Sequence, residues 1–395
     1  MSRTKWIRYA MFALIYFAQG AIVSYFSALN PLYLQGFQLE MSTIGLIGTI
    51  AMIPFVLKIF LGMLSDSVNL FGLGHRRPYI VIGLVVQVVC LLLVPLIDPG
   101  QSFALFAGLA FILMTGQALY DTCTDGLALD TTPTVEEGRI QGIMVGGRAL
   151  GVIITASIIG TLAHSVGWTA VFIALAGLTL LAMPLVFLVK EPPRPAERKF
   201  EWSAFKAFTK PSLITLGLLG ALYSLITNGA NEILNPFLRV EYGINLQTAG
   251  FVTTVWGLGV VVGGLTGGWL TDRIGQRNSV ILASLLSLAA IAALATISGV
   301  GAAYAFAALF GLAYGYYETV YFAISMNSTD PRIAASMFAI LMAVANIGTA
   351  VGLGLAGSLV DTIGYRVTFL VLAGLNLLAF LLLPVIFKNG AKAGA

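Results

Sequence analysis

Twelve runs of apolar residues, each long enough to cross a bilayer, take up nearly the whole sequence. They fall at about 9–34, 43–65, 78–97, 102–127, 139–163 and 168–189, then at about 212–238, 247–270, 278–298, 302–327, 332–358 and 366–387. A helical span needs about 20 apolar residues. Hydrocarbon offers the backbone no hydrogen-bond partner, so each run must close its own bonds as a helix. Pro31, Pro54 and Pro236 lie inside runs, where a missing N–H and a clashing ring predict kinks. Soluble domains carry roughly a quarter charged residues; this chain of 395 has 10% charged and 58% hydrophobic residues. Two soluble domains are excluded. The expected fold is an all-α membrane protein with twelve transmembrane helices in two six-helix bundles.

The basic residues set the orientation. With the amino terminus inside, the inner loops and ends hold Arg3, Lys5, Arg8, Arg76, Arg77, Arg139, Arg273, Arg277, Arg332, Lys388 and Lys392, and the central stretch adds Lys190, Arg194, Arg198, Lys199, Lys206 and Lys210. The outer loops hold Arg239 and Arg366 alone. This is the positive-inside pattern, and it predicts an inner-membrane protein with both termini in the cytoplasm. The net charge of +4 thus reports orientation, and nucleic acid is not an expected partner. The bilayer and a small-molecule solute are, for a chain expected to work as a monomer. The opening Met1-Ser2-Arg3-Thr4-Lys5-Trp6 runs into an apolar stretch holding Gln19, Ser24 and Asn30. No small-residue cleavage site follows a short core, so it reads as a first helix and not a signal peptide.

The central stretch contains Glu191-Pro192-Pro193-Arg194-Pro195, which favours extended chain over helix. It divides the spans six and six: a first bundle at 1–189, a linker at 190–211 and a second bundle at 212–395. The halves match. Leu29-Asn30-Pro31 recurs as Leu234-Asn235-Pro236, and Gly62-Met63-Leu64-Ser65-Asp66 as Gly268-Trp269-Leu270-Thr271-Asp272. Gly74-His75-Arg76 recurs as Gly275-Gln276-Arg277, and Gly160, Gly167, Phe172 and Gly177 as Gly357, Gly364, Phe369 and Gly374. The matches stay in order along the chain, the mark of a duplication. Duplicated six-helix halves point to carriers with a solute site near mid-membrane.

The duplicated Gly-x-Leu-Ser/Thr-Asp…Gly-x-Arg loops, after the second and eighth spans, resemble the loop motif of the major facilitator superfamily. That resemblance covers essentially the entire chain. It implies that helices 1, 4, 7 and 10 line a cavity, that 2, 5, 8 and 11 form a rocking interface, and that 3, 6, 9 and 12 lie outside. It also implies that the loop Asp and Arg residues hold an inward gate by bonding to neighbouring helix ends. On this sequence those are Asp66, Arg76 and Arg77, with Asp272, Arg273 and Arg277 in the second copy; Lys58, Asp130 and Arg139 are further gating candidates. The first copy departs from the pattern: Ser67 stands where the second has Arg273, and its loop is five residues longer.

Six ionisable side chains fall inside spans: Lys58, Asp121, Asp125, Arg148, Glu232 and Glu318. Each costs a few kcal/mol at mid-bilayer unless it meets a cavity or a partner, which makes function the first hypothesis. The acids lie on helices 4, 7 and 10 and the bases on helices 2 and 5. On helix 4, Gln117, Asp121 and Asp125 follow i, i+4, i+8 and share a face. Neighbouring carboxylates resist joint ionisation, so Arg148 and Lys58 are expected partners, and Arg148 could instead grip an anionic solute group. On helix 7, Asn228, Asn231, Glu232 and Asn235 make a polar turn beside Pro236. On helix 10, Tyr314, Tyr317, Glu318 and Tyr321 suit a cavity that stacks on a ring and bonds its edge. With Gln19 and Asn30 of helix 1, these are the expected solute-binding or proton-coupling residues. Glu232 and Glu318 have no base on their own helices, and at least one of them is the expected protonation site. Gly147-x3-Gly151, Gly259-x3-Gly263 and Gly348-x3-Gly352 let backbones approach closely, on helices expected to slide.

The stretch from Tyr120 to Gly151 is the most distinctive: Asp121-x3-Asp125-Gly126, Asp130, Pro133, Glu136-Glu137-Gly138-Arg139, then Gly147-Arg148-Ala149-Leu150-Gly151. It resembles the muropeptide permease and acetyl-CoA transporter family. The loop Gly74-His75-Arg76-Arg77-Pro78-Tyr79 is equally similar to glycoside cation symporters and folate-biopterin carriers. The resemblance implies proton-linked uptake of bulky polar solutes such as sugar-peptides, with H+ as the coupling ion and no other cofactor. Export of drugs or metabolites by proton antiport, and a non-transporting receptor or assembly factor on a carrier fold, are the competing readings. Enzyme chemistry is not expected. His75 and His164 sit near opposite faces, Cys90 and Cys123 lie far apart in apolar runs, and no nucleophile–base or metal-ligand spacing occurs.

Overall fold

The computed structural model describes residues 3–132, 137–191, 202, 205–206, 208–328 and 334–387. Twelve helices among them are long and apolar enough to cross a membrane. They are α1 Lys5–Gln35, α2 Met41–Ser65, α3 Arg77–Leu96, α4 Phe103–Ala128, α5 Ile143–Ser165 and α6 Trp168–Leu188. After the linker come α7 Pro211–Tyr242, α8 Leu246–Thr271, α9 Gln276–Leu294, α10 Val300–Asn327, α11 Met337–Ile363 and α12 Tyr365–Ile386. The ends that meet the linker are called the linker side below, and the other ends the far side.

The three internal prolines act differently. Ahead of Pro31, which has no amide hydrogen to donate, α1 loosens into a π-helical turn over Tyr25–Leu29. Three residues after Pro54, α2 breaks: Leu57 leaves helical geometry (φ −87°, ψ 2°) and a new helical segment starts at Lys58. Around Pro236, α7 runs unbroken from Pro211 to Tyr242. At the repeat-related turns α5–α6 and α11–α12 stand Gly167 (φ 106°) and Gly364 (φ 79°). Both backbones lie where a Cβ would be strained, so duplicated glycines there have a steric cause.

The chain forms two compact units. One comprises Met1–Gln38, Ile50–Phe200 and Asn245–Phe251, the other Leu39–Thr49, Glu201–Ile244 and Val252–Ala395. In the first unit the most extensive helix pair is α1 with α5, followed by α3 with α4; in the second it is α7 with α11. Glycines make these approaches possible. A Cβ on Gly147 or Gly151 would overlap the carbonyls of Ala13 and Phe17 on α1. One on Gly348 or Gly352 would overlap those of Ala221 and Leu225 on α7, and one on Gly259 or Gly263 those of Ala308 and Leu312 on α10. These glycines lock neighbours together inside each unit, because the small residue is spent on direct backbone contact.

Candidate polar sites within the membrane spans

The first unit gathers its polar side chains around α4. Asp121 is 6% exposed. Its Oδ2 meets Lys58 Nζ at 3.3 Å and its Oδ1 accepts from Gln19 Nε2 at 2.7 Å. One turn on, Asp125 accepts a hydrogen bond from the Tyr16 hydroxyl. One turn back, Gln117 accepts from Gln87 Nε2 of α3 at 3.2 Å. The stripe Gln117, Asp121, Asp125 thus reaches three helices. Lys58 owes its place to the break in α2, since it is the first residue of the segment beyond Leu57. Arg148 is exposed on α5, one residue past the Gly147 contact with α1. Lys58 and Arg148 are two bases within electrostatic reach of Asp125. Gln19 is 3% exposed, and its Oε1 has no partner among the described residues. Asn30 accepts from the Tyr25 hydroxyl at 2.9 Å, which ties it to the π-helical turn.

At the linker side of this unit the loop motif forms a second network. Arg76 is buried, with Nη1 donating to Ser65 Oγ at 2.6 Å and Nε 3.4 Å from Asp130 Oδ2. Its guanidinium lies against Gly126, where a Cβ would meet Cζ and Nε. Arg77 reaches the end of α6, donating from Nε to the Val186 carbonyl (3.1 Å) and from Nη2 to that of Phe187 (2.8 Å). Glu191 completes the network. Its carboxylate accepts from the backbone N–H groups of His75 (2.7 Å), Arg76 (3.1 Å) and Arg77 (3.2 Å). These amides open α3, and an anion there satisfies orphan donors and meets the positive end of the helix dipole. In the second copy, among the described residues, Arg273 stacks on the Trp269 ring at 3.9 Å, and Arg277 is exposed. The side chains of Asp66, Arg139 and Asp272 lie outside the described residues.

The second unit carries an amide and aromatic row. Tyr314 donates to Asn228 Oδ1 at 3.1 Å, and Asn228 Nδ2 donates to Thr349 Oγ1 of α11 at 3.2 Å. The Trp256 ring meets Tyr314 edge-on, with centroids 5.4 Å apart. Tyr317 and Tyr321 are fully buried. Tyr317 shares a hydrogen bond with Ser284 Oγ at 3.1 Å, and Tyr321 donates to the Leu341 carbonyl at 3.3 Å. Their rings pack with Tyr223 at 5.3 and 4.9 Å, so both serve as core. Asn235 Nδ2 donates to Thr253 Oγ1 at 3.0 Å, and Asn231 is buried beside Glu232 in sequence. Glu318 is partly buried on α10, within electrostatic reach of Tyr223. Glu232 is 2% exposed. Among the described residues no hydrogen-bonding or ionic partner reaches its carboxyl.

Tyr16, Gln87, Ser65, Glu191, Trp256 and Thr349 were not legible as participants. A neutral polar or aromatic residue inside an apolar run looks like packing. Glu191 did carry a signal, as the sole acid in the Lys190–Pro193 stretch, placed where the sixth span ends.

The fold and these clusters define a class: a multi-pass helical membrane protein whose buried polar groups are gathered inside its spans. The sequence model of the Major Facilitator Superfamily matches residues 12–230 and again 216–394, and the chain belongs to that superfamily of transporters. It is 24% identical over 378 residues to the anhydromuropeptide permease of Escherichia coli K12, covering 92% of this chain and 76% of that one. It is 27% identical over 291 residues to the folate-biopterin transporter of Synechocystis, covering 69% and 57%. The crystal structure of the nucleoside transporter NupG superposes with a TM-score of 0.80 at 14% identity, covering 98% of this chain and 100% of that chain. The chain is a transporter, and its twelve-helix fold is that of the superfamily.

Proposed function

We propose that this transporter is a proton-coupled symporter that brings a polar, sugar-like or sugar-peptide solute into the cell by alternating access. The carrying observation is the contrast between two buried acidic sites. In the first unit, Asp121 and Asp125 are met by Lys58, Gln19 and Tyr16, so both carboxyls there have partners. In the second, Glu232 is buried without a partner among the described residues. A carboxyl in that position is stable only as the neutral acid, so it must bind a proton, which is the property a coupling site needs. Tyr314, Asn228, Trp256 and Thr349 supply the hydrogen-bonding and aromatic edges that suit a sugar or heterocycle. The names of similar proteins support that solute class: an anhydromuropeptide permease, a folate-biopterin transporter and a sialic acid transporter. The dense positive charge on the linker side supports a cytoplasmic placement of that side.

The test is uptake by protein-reconstituted liposomes of a labelled anhydro-sugar peptide, with sialic acid and a pterin as comparison solutes. An inward proton gradient should drive accumulation, and a protonophore should abolish it. Glu232→Gln or Glu318→Gln should remove the gradient dependence while solute exchange persists. Gradient-driven uptake that survives both substitutions would defeat the proton route, and solute leaving as protons enter would establish antiport instead.

A further inference from the structure

The far-side end of the second unit carries a polar cluster that the proposed chemistry does not use. Arg366, in the first turn of α12, reaches the ends of two other helices. Its Nη1 donates to the Ala295 carbonyl at 2.6 Å and its Nη2 to that of Ile297 at 3.1 Å, both just past the end of α9. A cation there satisfies orphan carbonyls and meets the negative end of the helix dipole. Nη2 also donates to the Tyr242 hydroxyl at 2.9 Å, and Tyr242, the last residue of α7, donates in turn to the Ile297 carbonyl. The guanidinium carbon lies 5.2 Å from the Phe237 ring centroid. That ring meets Tyr365 and Phe369 of α12 at 5.9 and 5.5 Å. Glu241 adds less: its Oε2 is 3.5 Å from Arg366 and the two side chains are 40% and 41% exposed, where ion pairs contribute little.

The cluster begins one residue beyond Pro236, where α7 is weakest. Pro236 has no N–H to give the carbonyl of Glu232, and its ring crowds that carbonyl. Yet α7 stays helical from Pro211 to Tyr242. The first unit supplies an internal control. There Pro31, the repeat partner of Pro236, follows the π-helical turn Tyr25–Leu29. The positions matching Tyr365, Arg366 and Phe369 are Trp168, Thr169 and Phe172, and Phe37 matches Tyr242. Rings pack there too, Tyr33 meeting Phe37, Trp168 and Phe172 each at 5.2 Å. Threonine and phenylalanine, however, stand where the second unit has guanidinium and hydroxyl. The unit without the clasp is the one whose helix loosens.

We infer that Arg366 is a positioning residue for Glu232: by clasping the far-side end of α7 it keeps that helix intact across Pro236 and the carboxyl buried. This rests on the reading of Glu232 as a coupling carboxyl and adds the residue that holds it in place. Released from the clasp, α7 bends at its proline. The half beyond Pro236 then swings away, and water reaches the carboxyl one turn before it.

Hydrogen exchange of the full chain in lipid nanodiscs, read on peptides covering 229–242, tests the clasp without solute or gradient. Arg366→Gln should lower protection there about tenfold through local opening, while Glu241→Gln should leave it unchanged. In a Pro236→Ala background, where the missing N–H is restored, Arg366→Gln should lose no protection. Tyr242→Phe, which removes the hydroxyl alone, carries the same comparison if Arg366→Gln yields no folded protein. Unchanged protection in Arg366→Gln, or equal losses with and without Pro236, would overturn the clasp. The infrared C=O band of the neutral Glu232 acid, identified by its loss in Glu232→Gln, reads the positioning itself. It should move to lower frequency in Arg366→Gln, as water donates to the carboxyl, and return with Pro236→Ala. A band that stays in place would overturn the positioning role and leave the coupling carboxyl standing. Absence of the band in the parent would sink the coupling carboxyl, with the exchange data still deciding the clasp.

Discussion

Asp121 is the residue on which the first unit's polar cluster turns, because it answers both Lys58 and Gln19. Asp121→Asn would leave the Lys58 ammonium without its counterion in a site where Lys58 keeps only 26% of its side-chain surface. Breaking a buried pair from one side costs about 3–5 kcal/mol, and partial exposure of the lysine places this one at the lower end. The apparent melting temperature in detergent should therefore drop clearly for Asp121→Asn and recover in Asp121→Asn/Lys58→Met. Equal losses in the single and double variants would remove the ion pair from the account. The stripe Gln117, Asp121, Asp125 was legible from helical spacing, and Lys58 was legible as a partner from charge alone. Tyr16 and Gln87 were not, since spacing within one helix says nothing about which neighbour lies opposite.

At the scale of elements, capping and close packing decide. Glu191 satisfies three backbone amides at the start of α3. Capping side chains contribute about 0.5–2 kcal/mol, so Glu191→Ala should lower thermal stability by about that amount and speed proteolysis at the linker. Glu191→Gln, which keeps an acceptor but not the charge, should fall between. Glycines divide by what surrounds them. Gly348→Leu would drive a side chain into the Ala221 carbonyl of α7, and overpacking of backbone should cost at least about 1–3 kcal/mol. Gly177 and its repeat partner Gly374 face open space. Changing either to Ala should be neutral or stabilise by up to about 1 kcal/mol, because only helix propensity changes. Both effects are readable from the folded yield and melting temperature of the purified variants. Loss of folding in Gly177→Ala, or none in Gly348→Leu, would contradict the packing described.

At the scale of the whole molecule, the charge asymmetry predicts topology. The native cysteines Cys90 and Cys123 are buried, so introduced ones report cleanly. In intact cells a membrane-impermeant maleimide should label Gln101→Cys and Ser298→Cys on the far side. It should leave Leu73→Cys on the linker side unlabelled until the membrane is permeabilised. The opposite pattern would invert the orientation and the direction of the proposed uptake. The duplication reaches this scale too, but its halves are unequal in detail. The longer first loop is tied by Arg76, Arg77 and Glu191, whereas in the second copy Arg273 rests on Trp269.

The sequence by itself determined the number of spans, the duplication, and which helices carry ions, because hydrocarbon forbids irregular backbone and penalises every charge. It also located Glu232 as an acid inside an apolar span, though the structure extends that helix past Arg239. The tertiary structure decided which polar groups meet. It sent the glycine pairs into locks within each unit, turned Tyr317 and Tyr321 into core, brought Glu191 to the start of α3, and laid Gly48 over Glu232. These are contacts between residues distant in the chain. Periodicity fixes which face of a helix a residue occupies, whereas the neighbour on that face is set by how whole helices pack.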